Sequence, residues 1–322
     1  MREFISFLKP VIDRFIDFMT ASQRWNIGYE KNLAQFDKFI VKNYPDKTEL
    51  TQEMVDRWCE KRSTEQVNTC LSRTNVIVNL VNYMNKRGLT KVKEPNRPKP
   101  QKCTHLPHSF TTEELNQFFY ECDHIKVREN NKSSLVVKLI LCVIFRLMYC
   151  TGIRPNEARQ LKRNEVDLIN GVLNITETKG HDEHYVAIHE SMIDILKEYD
   201  RRMEELVPGR IYFFPNGIDN YHSKNWLQKH FSKLWKKANP GTHAISYDFR
   251  HNYATENINS WIDQKFDVIT NLVYLSKSMG HRSVEYTKYY YSIVPRLAEI
   301  LEEKSSDCFD ELMPEVLEYE DW

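Results

Sequence analysis

The sequence lacks the paired cysteines and glycine-rich loops that mark several large classes of protein. Its seven cysteines are an odd number and include no CxxC pair, which argues against a disulfide framework and a structural zinc site. Neither GxxxxGKS/T nor GxGxxG occurs, so no motif points to nucleotide hydrolysis or dinucleotide binding. Only nine glycines and twelve prolines are present, which excludes collagen-like and low-complexity sequence. We expect a reducing, cytoplasmic compartment, no metal and no other cofactor.

The composition is that of a folded protein without membrane spans. Hydrophobic residues make up 41% and charged residues 28% of the 322 positions, a length that favours two domains. The apolar segment near the N-terminus is interrupted by charges and a proline, at Lys9, Pro10, Asp13, Arg14 and Asp17. We therefore expect neither a signal peptide nor a membrane span there, and no membrane partner.

Charge is balanced overall but unevenly distributed along the chain. The formal net charge is zero, from 45 basic and 45 acidic residues. Residues 299–322 hold ten acidic residues and a single base, Lys304, so residues 1–298 carry a net charge of +9. A basic body with an acidic tail favours a polyanionic partner, although a solvated tail without a role is the simpler interpretation of charge alone.

Residues 1–88 are predicted to form a helical domain. Apolar residues recur at helical spacing over 4–19, and a second helical run covers about 23–43. Thr51 is placed to cap a third helix that ends near Arg62.

The end of this domain leads into a basic, proline-rich linker predicted over 89–107. Ser63 and Gln66 form a capping-box pattern before a fourth helix, which Gly88 should terminate. Lysine and arginine side chains near the linker suit contacts with DNA phosphates. These expected DNA-binding residues are Arg87, Lys91, Lys93, Arg97, Lys99 and Lys102.

A second domain is predicted over 108–298, before an acidic tail over 299–322. Hydrophobic periodicity shifts to two at Val172–Thr176 and His184–Ile188, which predicts a hairpin and hence a small antiparallel β-sheet. The remaining elements are predicted helices, at about 111–122, 134–149, 190–206, 223–238, 246–259 and 267–279. The fold class is therefore mainly α, of the α+β type.

Two cationic side chains of this domain stand at turns. Arg154 follows Gly152 and precedes a helix, where its guanidinium and free backbone N–H groups suit an anion. Glu157 is its expected orienting partner. Lys179, at the predicted hairpin tip, can swing into a site as a proton donor. Each residue taken alone is more often an ordinary surface or ion-paired side chain.

Two further segments contribute an arginine, a histidine and a tyrosine. Arg250 lies on a helix whose buried face includes Phe249 and Tyr253, so it should lie beside the core. Gly280 should end a helix, and His281 follows it, nine residues before Tyr290. A tyrosine cluster surrounds that position.

In this order and at this spacing, the four segments resemble the catalytic domain of the tyrosine recombinases, the family of phage and transposon integrases. The family pattern is Thr-Gly-Leu/Ile-Arg-x-x-Glu, a hairpin Lys, His-x-x-Arg, and Gly-His with a Tyr nine residues on. The match extends from about Leu106 to Pro295, and residues 1–88 resemble the family's helical core-binding domain. The matched catalytic positions are Arg154, Lys179, Arg250, His281 and Tyr290.

The resemblance implies cleavage and rejoining of DNA at specific sites through a 3′-phosphotyrosine, without metal or ATP. Two guanidiniums, of Arg154 and Arg250, would stabilise charge on the non-bridging phosphate oxygens. Tyr290 would attack, and the cationic pocket should ease its deprotonation. Lys179 would protonate the departing 5′-oxygen, and His281 would hydrogen-bond the phosphate or orient a neighbour.

One position departs from the family pattern, because Tyr247 stands in place of the His of His-x-x-Arg. A phenol can donate a hydrogen bond to phosphate, but it is a poor base near pH 7. His243 or His251 would be placed to compensate, although a structural role is the more common one for each. We expect an active enzyme.

The implied partner is double-stranded DNA, clamped between the two domains. The resemblance also implies a homo-tetramer on paired sites, with accessory DNA-bending proteins, serving integration, excision or transposition of a mobile element. Two alternatives stay open. A type IB topoisomerase would relax supercoils without a partner site, and a DNA-binding protein that has lost catalysis is suggested only by Tyr247.

The spacing from His281 selects Tyr290 as the nucleophile, whereas an aromatic-core role fits Tyr286 best. Neighbouring side chains on a helix point about 100° apart, so Tyr289 and Tyr291 cannot share its line of attack. We expect Tyr290→Phe to form no denaturant-resistant DNA adduct, because only the missing oxygen can make the phosphoester. Tyr289→Phe and Tyr291→Phe should still form it. Peptide mapping that placed the nucleotide on Tyr289 or Tyr291 would overturn the choice.

Overall fold

The computed structural model describes residues 3–101, 106–127, 131–176, 183–263, 268–288 and 290. The chain divides into two compact units, Met1–His105 and Leu106–Trp322. The boundaries predicted above for domains, linker and tail stay predictions, and the acidic tail lies outside the described residues.

Helices form the described part of the first unit. They are α1 (Lys9–Ala21), α2 (Ile27–Asn43), α3 (Gln52–Cys59) and α4 (Val67–Asn85). The first three all pack on α4, whose apolar side chains are buried along much of its length. Thr51 caps α3 as predicted, because its hydroxyl accepts a hydrogen bond from the Met54 N–H at 3.4 Å.

Two predicted helix starts in this unit are wrong. Residues 4–8 are not helical, because α1 begins at Lys9 with Pro10 in its first turn, where the missing proline N–H removes no helical hydrogen bond. The N–H groups of Ile5 and Ser6 donate to the Asp37 carboxylate at 2.8 and 3.0 Å. The predicted capping box at Ser63 is absent, and α4 begins after Gln66 without a side-chain cap.

The segment after α4 is held against the first unit as far as the structure describes it. The Lys93 N–H donates to the Gln52 side chain at 2.8 Å, and the Gln101 N–H donates to Asn68 at 2.9 Å. Val92 is buried in the core of the unit. This part of the predicted linker is therefore fixed to its helices by both hydrogen bonds and apolar burial.

The second unit combines helices with a three-stranded sheet. Its elements are α5 (Thr112–Asp123), α6 (Lys132–Thr151), α7 (Pro155–Gln160), a 3-10 turn (Arg163–Glu165), β1 (Val166–Asp167), β2 (Val172–Ile175), β3 (His184–Ala187), α8 (Glu190–Leu206), α9 (Lys224–Ala238), α10 (Asp248–Asp263), α11 (Val268–Ser278) and α12 (Glu285–Lys288). The capping box of Thr111 and Glu114 begins α5 as predicted.

The helix α6 is the centre of the second unit. It contacts α5, α8 and α10, and its buried side chains form part of the main core. By length and hydropathy this helix is also the one segment of the described chain that could cross a membrane. Its packing against three neighbouring helices accounts for its apolar character.

The sheet confirms the predicted antiparallel hairpin. The strands β2 and β3 pair from Val172 with Ala187 to Ile175 with His184, and β1 adds two residues at the other edge of β2. The sequence did not predict β1 because two residues carry no periodicity. The expected tip residue Lys179 lies outside the described residues. Together these observations confirm the mainly helical α+β fold class.

Two glycines of the second unit, Gly152 and Gly209, both have positive φ angles, but only Gly152 has close neighbours. Comparing their alanine variants separates the cost of a steric clash from the cost of backbone strain. A Cβ on Gly152 (φ +64°) would lie 2.4 Å from Tyr253 Cδ1, whereas a Cβ on Gly209 (φ +68°) would meet nothing within 4 Å. We expect Gly209→Ala to cost about 1–2 kcal/mol of unfolding free energy from backbone strain alone. Gly152→Ala should cost about 1–3 kcal/mol more, because the ring must move.

The measurement is urea denaturation of both variants beside the wild type. If Gly152→Ala and Gly209→Ala lose the same unfolding free energy, the Tyr253 ring moves aside at no cost. The close contact would then not fix the turn.

Candidate active site

The turn after α6 positions Arg154. Gly152 ends the helix in a left-handed conformation and donates its N–H to Met148 O at 3.0 Å. Arg154 then caps α7, where its N–H donates to Glu157 Oε2 at 2.8 Å and its guanidinium donates to Glu157 Oε1 at 2.6 Å. The Glu157 side chain is only 2% exposed. The ion pair expected from the spacing is therefore present, and it fixes the arginine at the start of α7.

Arg250 lies deeper than predicted. Only 1% of it is exposed, so its guanidinium is inside the domain rather than beside the core. It donates to Gly152 O at 2.8 Å and to Met279 O at 2.6 Å, and a terminal nitrogen lies 3.0 Å from His281 Nε2. One side chain of α10 thus joins the ends of α6 and α11.

A second glycine with a left-handed backbone conformation lies just after α11. Gly280 (φ +60°) ends α11, and a Cβ there would lie 2.5 Å from the His184 ring of β3. The Gly280 carbonyl accepts a hydrogen bond from Arg154 at 3.3 Å. Each arginine therefore binds the glycine carbonyl of a distant turn.

Two guanidiniums, of Arg154 and Arg250, lie in this cluster. Burial lowers the pKa of Arg250, and the nearby charge of Arg154 lowers it further. Arg250 donates to two carbonyls and contacts an imidazole, and the carboxylate of Glu157 pairs with Arg154. Such a pair of partly desolvated guanidiniums suits an anion with several oxygens.

His281 connects the arginine cluster to the segment that carries the predicted nucleophile. Its Nδ1 lies 2.7 Å from Thr287 Oγ1, and Thr287 is fully buried. The Tyr290 ring lies nearly parallel to the His281 ring, with 6.3 Å between centroids, and 5.5 Å from the His251 ring. Arg154, Glu157, Arg250, His281 and Tyr290 are thus brought into one cluster.

The environment of Tyr290 corrects one expectation. The residue is 4% exposed, and burial raises the pKa of its phenol, while Arg250 and Arg154 only partly oppose that effect. Both arginines therefore act in the predicted direction, but burial outweighs them, so the net pKa of Tyr290 is raised.

The other tyrosines differ from Tyr290 in exposure. The proposed aromatic-core role of Tyr286 is wrong, because that side chain is 65% exposed. Tyr247 is 37% exposed, and its ring lies 5.3 Å from that of His251, close enough to Arg250 to influence the pKa of that guanidinium. Lys179, Tyr289 and Tyr291 lie outside the described residues, and the catalytic roles stay predictions.

Of the two histidines considered as substitutes for the missing one, only His251 approaches the cluster. His251 packs beside both Tyr247 and Tyr290, whereas His243 is exposed in the loop before α10. Whether either compensates for Tyr247 stays a prediction.

The expected DNA-binding residues lie in the first unit. Arg87 stacks on the rings of Tyr83 and Phe18, with its central carbon 3.9 and 4.8 Å from their centroids. Arg97 pairs with Glu94 at 3.3 Å. The others in the described chain, Lys91, Lys93 and Lys99, are exposed, and Lys102 lies outside it. Their contacts with DNA stay predictions.

Sequence patterns do not identify two residues of the site. His184 borders a cavity of about 310 Å³ beside His281, which is also lined by Glu183, Tyr185, Lys277 and Gly280. The one available signal for Thr287 is its position three residues before Tyr290, which would place both on one helical face. Among the described residues, no group of three or more His, Cys, Asp or Glu could hold a metal ion.

The fold and the site together define a class of enzyme. Its helical domain with a small sheet carries an anion site of two guanidiniums beside a buried tyrosine. Residues 108–295, more than half of the chain, match the model of the phage integrase family. The chain belongs to the phage integrase family and is a tyrosine recombinase, a site-specific recombination enzyme.

Individual relatives are distant in sequence. The tyrosine recombinase XerC of Lactobacillus delbrueckii subsp. bulgaricus is 23% identical over 303 residues, covering 89% of this chain and 97% of XerC. The Tn1549 transposon integrase in complex with transposon right end DNA has a TM-score of 0.61 at 12% identity, covering 92% of this chain and 99% of that one. A lambda integrase tetramer bound to a Holliday junction has a TM-score of 0.56 at 13% identity, covering 86% and 77%. At these identities the two structures show a shared fold alone.

The geometry of Arg250 predicts that lysine cannot replace it. A lysine side chain ends in one compact ammonium group. It cannot contact the Gly152 carbonyl, the Met279 carbonyl and the His281 ring at the same time, as the forked guanidinium does. We expect Arg250→Lys to cost about 2–4 kcal/mol of unfolding free energy, because buried polar partners lose their donor.

The matched control is Arg201→Lys. Arg201 is 59% exposed and pairs with Glu198 and Glu205 on α8, so its replacement should change stability by less than about 0.5 kcal/mol. Chemical denaturation compares the two variants. Similarly small changes in unfolding free energy at both positions would show that the buried guanidinium of Arg250 contributes little to stability.

Proposed function

We propose that this recombinase cleaves and rejoins double-stranded DNA through a covalent 3′-phosphotyrosine on Tyr290. The observation that carries the proposal is a pair of guanidiniums, one buried and one partly buried, beside a buried phenol. The Tyr290 ring lies 6.3 Å from the His281 ring, and His281 Nε2 lies 3.0 Å from an Arg250 nitrogen, which supports Tyr290 as the nucleophile of this cationic site. The two guanidiniums would bind an anionic phosphodiester.

The chemistry follows from the residues in the cluster. The Tyr290 oxygen forms a bond to phosphorus, and the bond from phosphorus to the 5′-oxygen breaks. The phenol proton leaves to solvent, and the 5′-oxygen gains a proton from Lys179. Arg154 and Arg250 stabilise the extra charge on the non-bridging oxygens during the displacement. Because the new bond is again a phosphodiester, the reverse attack by a strand end rejoins the DNA without ATP.

We extend the proposal to partners and setting. The solved relatives include an integrase with transposon end DNA and a tetramer on a Holliday junction, which supports duplex DNA and oligomerisation for this chain. The proposed assembly is a homo-tetramer on paired DNA sites. The proposed role is integration, excision or transposition of a mobile element, with accessory DNA-bending proteins.

The experiment is covalent capture from a pool of nicked duplexes of randomised sequence. The nick lets the short cleaved strand diffuse away, so a phosphotyrosine adduct accumulates and survives denaturant. We expect the wild type to capture a restricted set of sequences. Arg154→Ala and Arg250→Ala should lower adduct formation at least about 100-fold, because each removes transition-state charge stabilisation, while phosphate contacts elsewhere preserve DNA binding.

A filter-binding assay on the captured sequence is the control for folding and DNA affinity, and Arg201→Ala, which removes an exposed arginine of α8, is the control for the loss of one positive charge. Wild-type adduct yield from both alanine variants would contradict the phosphate-binding assignment. Relaxation of any plasmid without a required site would favour the topoisomerase alternative, and sequence-specific binding without an adduct would favour the DNA-binding protein that has lost catalysis.

A further inference from the structure

We infer that the Thr287 hydroxyl is a positioning group that controls which ring nitrogen of His281 carries the proton. The inference deepens the proposed function, since His281 stands between Arg250 and the segment of Tyr290. It begins from two contacts of one imidazole. His281 Nε2 lies 3.0 Å from an Arg250 terminal nitrogen, and Nδ1 lies 2.7 Å from Thr287 Oγ1.

The contact with Arg250 favours an unprotonated Nε2 but does not by itself settle the tautomer, because the ring can release that contact. A guanidinium has only donors and stays protonated in proteins, so while the contact lasts it donates to the Nε2 lone pair. In the neutral imidazole the proton then lies on Nδ1. That N–H points at the Thr287 oxygen, which accepts it. Thr287 thus stabilises the Nδ1–H tautomer of His281 in the DNA-free enzyme.

The same hydroxyl can serve the opposite tautomer. For His281 to donate a hydrogen bond to a phosphate oxygen, Nε2 must carry the proton and release its contact with Arg250. One proton then passes from Nδ1 to Nε2 through exchange with water, and the charge of the ring is unchanged. Because a hydroxyl both donates and accepts, Thr287 can turn its O–H toward the bare Nδ1 and hold the ring in place.

Burial makes the identity of this side chain matter. Thr287 has 0% exposure, so its hydroxyl rather than bulk water is the partner of Nδ1 in the closed site, and exchange of the proton with water requires a local opening of this contact. Its backbone N–H donates to Val284 O at 2.8 Å, which fixes the residue in the turn that leads to Tyr290. Valine has almost the same shape as threonine but can neither accept from Nδ1–H nor donate to a bare Nδ1.

The first measurement needs no DNA. Proton-detected NMR of protein labelled with 15N-histidine reports the tautomer of each ring, and the His281→Gln spectrum identifies the His281 signals. We expect the wild type and Thr287→Ser to show the Nδ1–H tautomer, and Thr287→Val to show a shifted mixture. Thr255→Val is the matched control, because within the described chain the Thr255 hydroxyl donates to carbonyls of its own helix, His251 O and Asn252 O at 3.1 and 3.0 Å.

The second measurement is the rate of covalent adduct formation on a captured duplex. We expect Thr287→Val to slow it roughly 10- to 100-fold, the usual effect of removing a group that orients a functional histidine, while DNA binding is unchanged. Thr287→Ser should retain the rate, and so should Thr255→Val.

The variants distinguish positioning from packing. A Thr287→Val protein with wild-type signals and rate would overturn the inference. A Thr287→Ser protein that is as slow as Thr287→Val would also overturn it, since retaining the hydroxyl would then not preserve the rate. A slow Thr287→Val with unchanged His281 signals would also overturn it. If the wild type forms no adduct, the proposed function fails, yet the NMR comparison still decides whether Thr287 controls His281.

Discussion

The burial of one positive charge organises the second unit. Arg250 is 1% exposed, and its donors reach the carbonyls at the ends of α6 and α11. An uncompensated charge in such a position would be strongly destabilising, so the carbonyls and His281 must stay in place to solvate it. The same requirement fixes the two turns that carry Arg154 and His281. The fold is thus stabilised by the arrangement that leaves the site prepared for an anion.

The site combines this rigidity with two guanidiniums. Glu157 pairs with Arg154, while Arg250 donates to the carbonyl dipoles of Gly152 and Met279. A phosphodiester between them would be held by groups already oriented, which is the condition under which electrostatic stabilisation of a transition state is largest. Burial raises the pKa of the Tyr290 phenol, so under the proposed mechanism its ionisation would be coupled to the attack on phosphorus.

Sequence patterns predicted the local features well and the long-range ones poorly. The Arg154–Glu157 pair, the hairpin pairing and the Thr111 cap depend on residues close together in the chain or on simple alternation. The burial of Arg250 and the exposure of Tyr286 depend on which helices of the folded domain cover each side chain. The docking of residues 89–101 depends on single side chains, Gln52 and Asn68, whose partners no periodicity identifies.

The central claim is that the two guanidiniums neutralise negative charge on the scissile phosphate. Replacing one charged oxygen of that phosphate by a neutral group tests this claim most directly. A duplex with a neutral methylphosphonate at the captured cleavage position needs less charge stabilisation than the natural phosphodiester. The measurement is the adduct yield of Arg154→Ala on both duplexes. We expect almost none on the phosphodiester and a substantial recovery on the methylphosphonate. Equal failure on both duplexes, by a variant that still binds DNA, would contradict charge neutralisation as the function of this site.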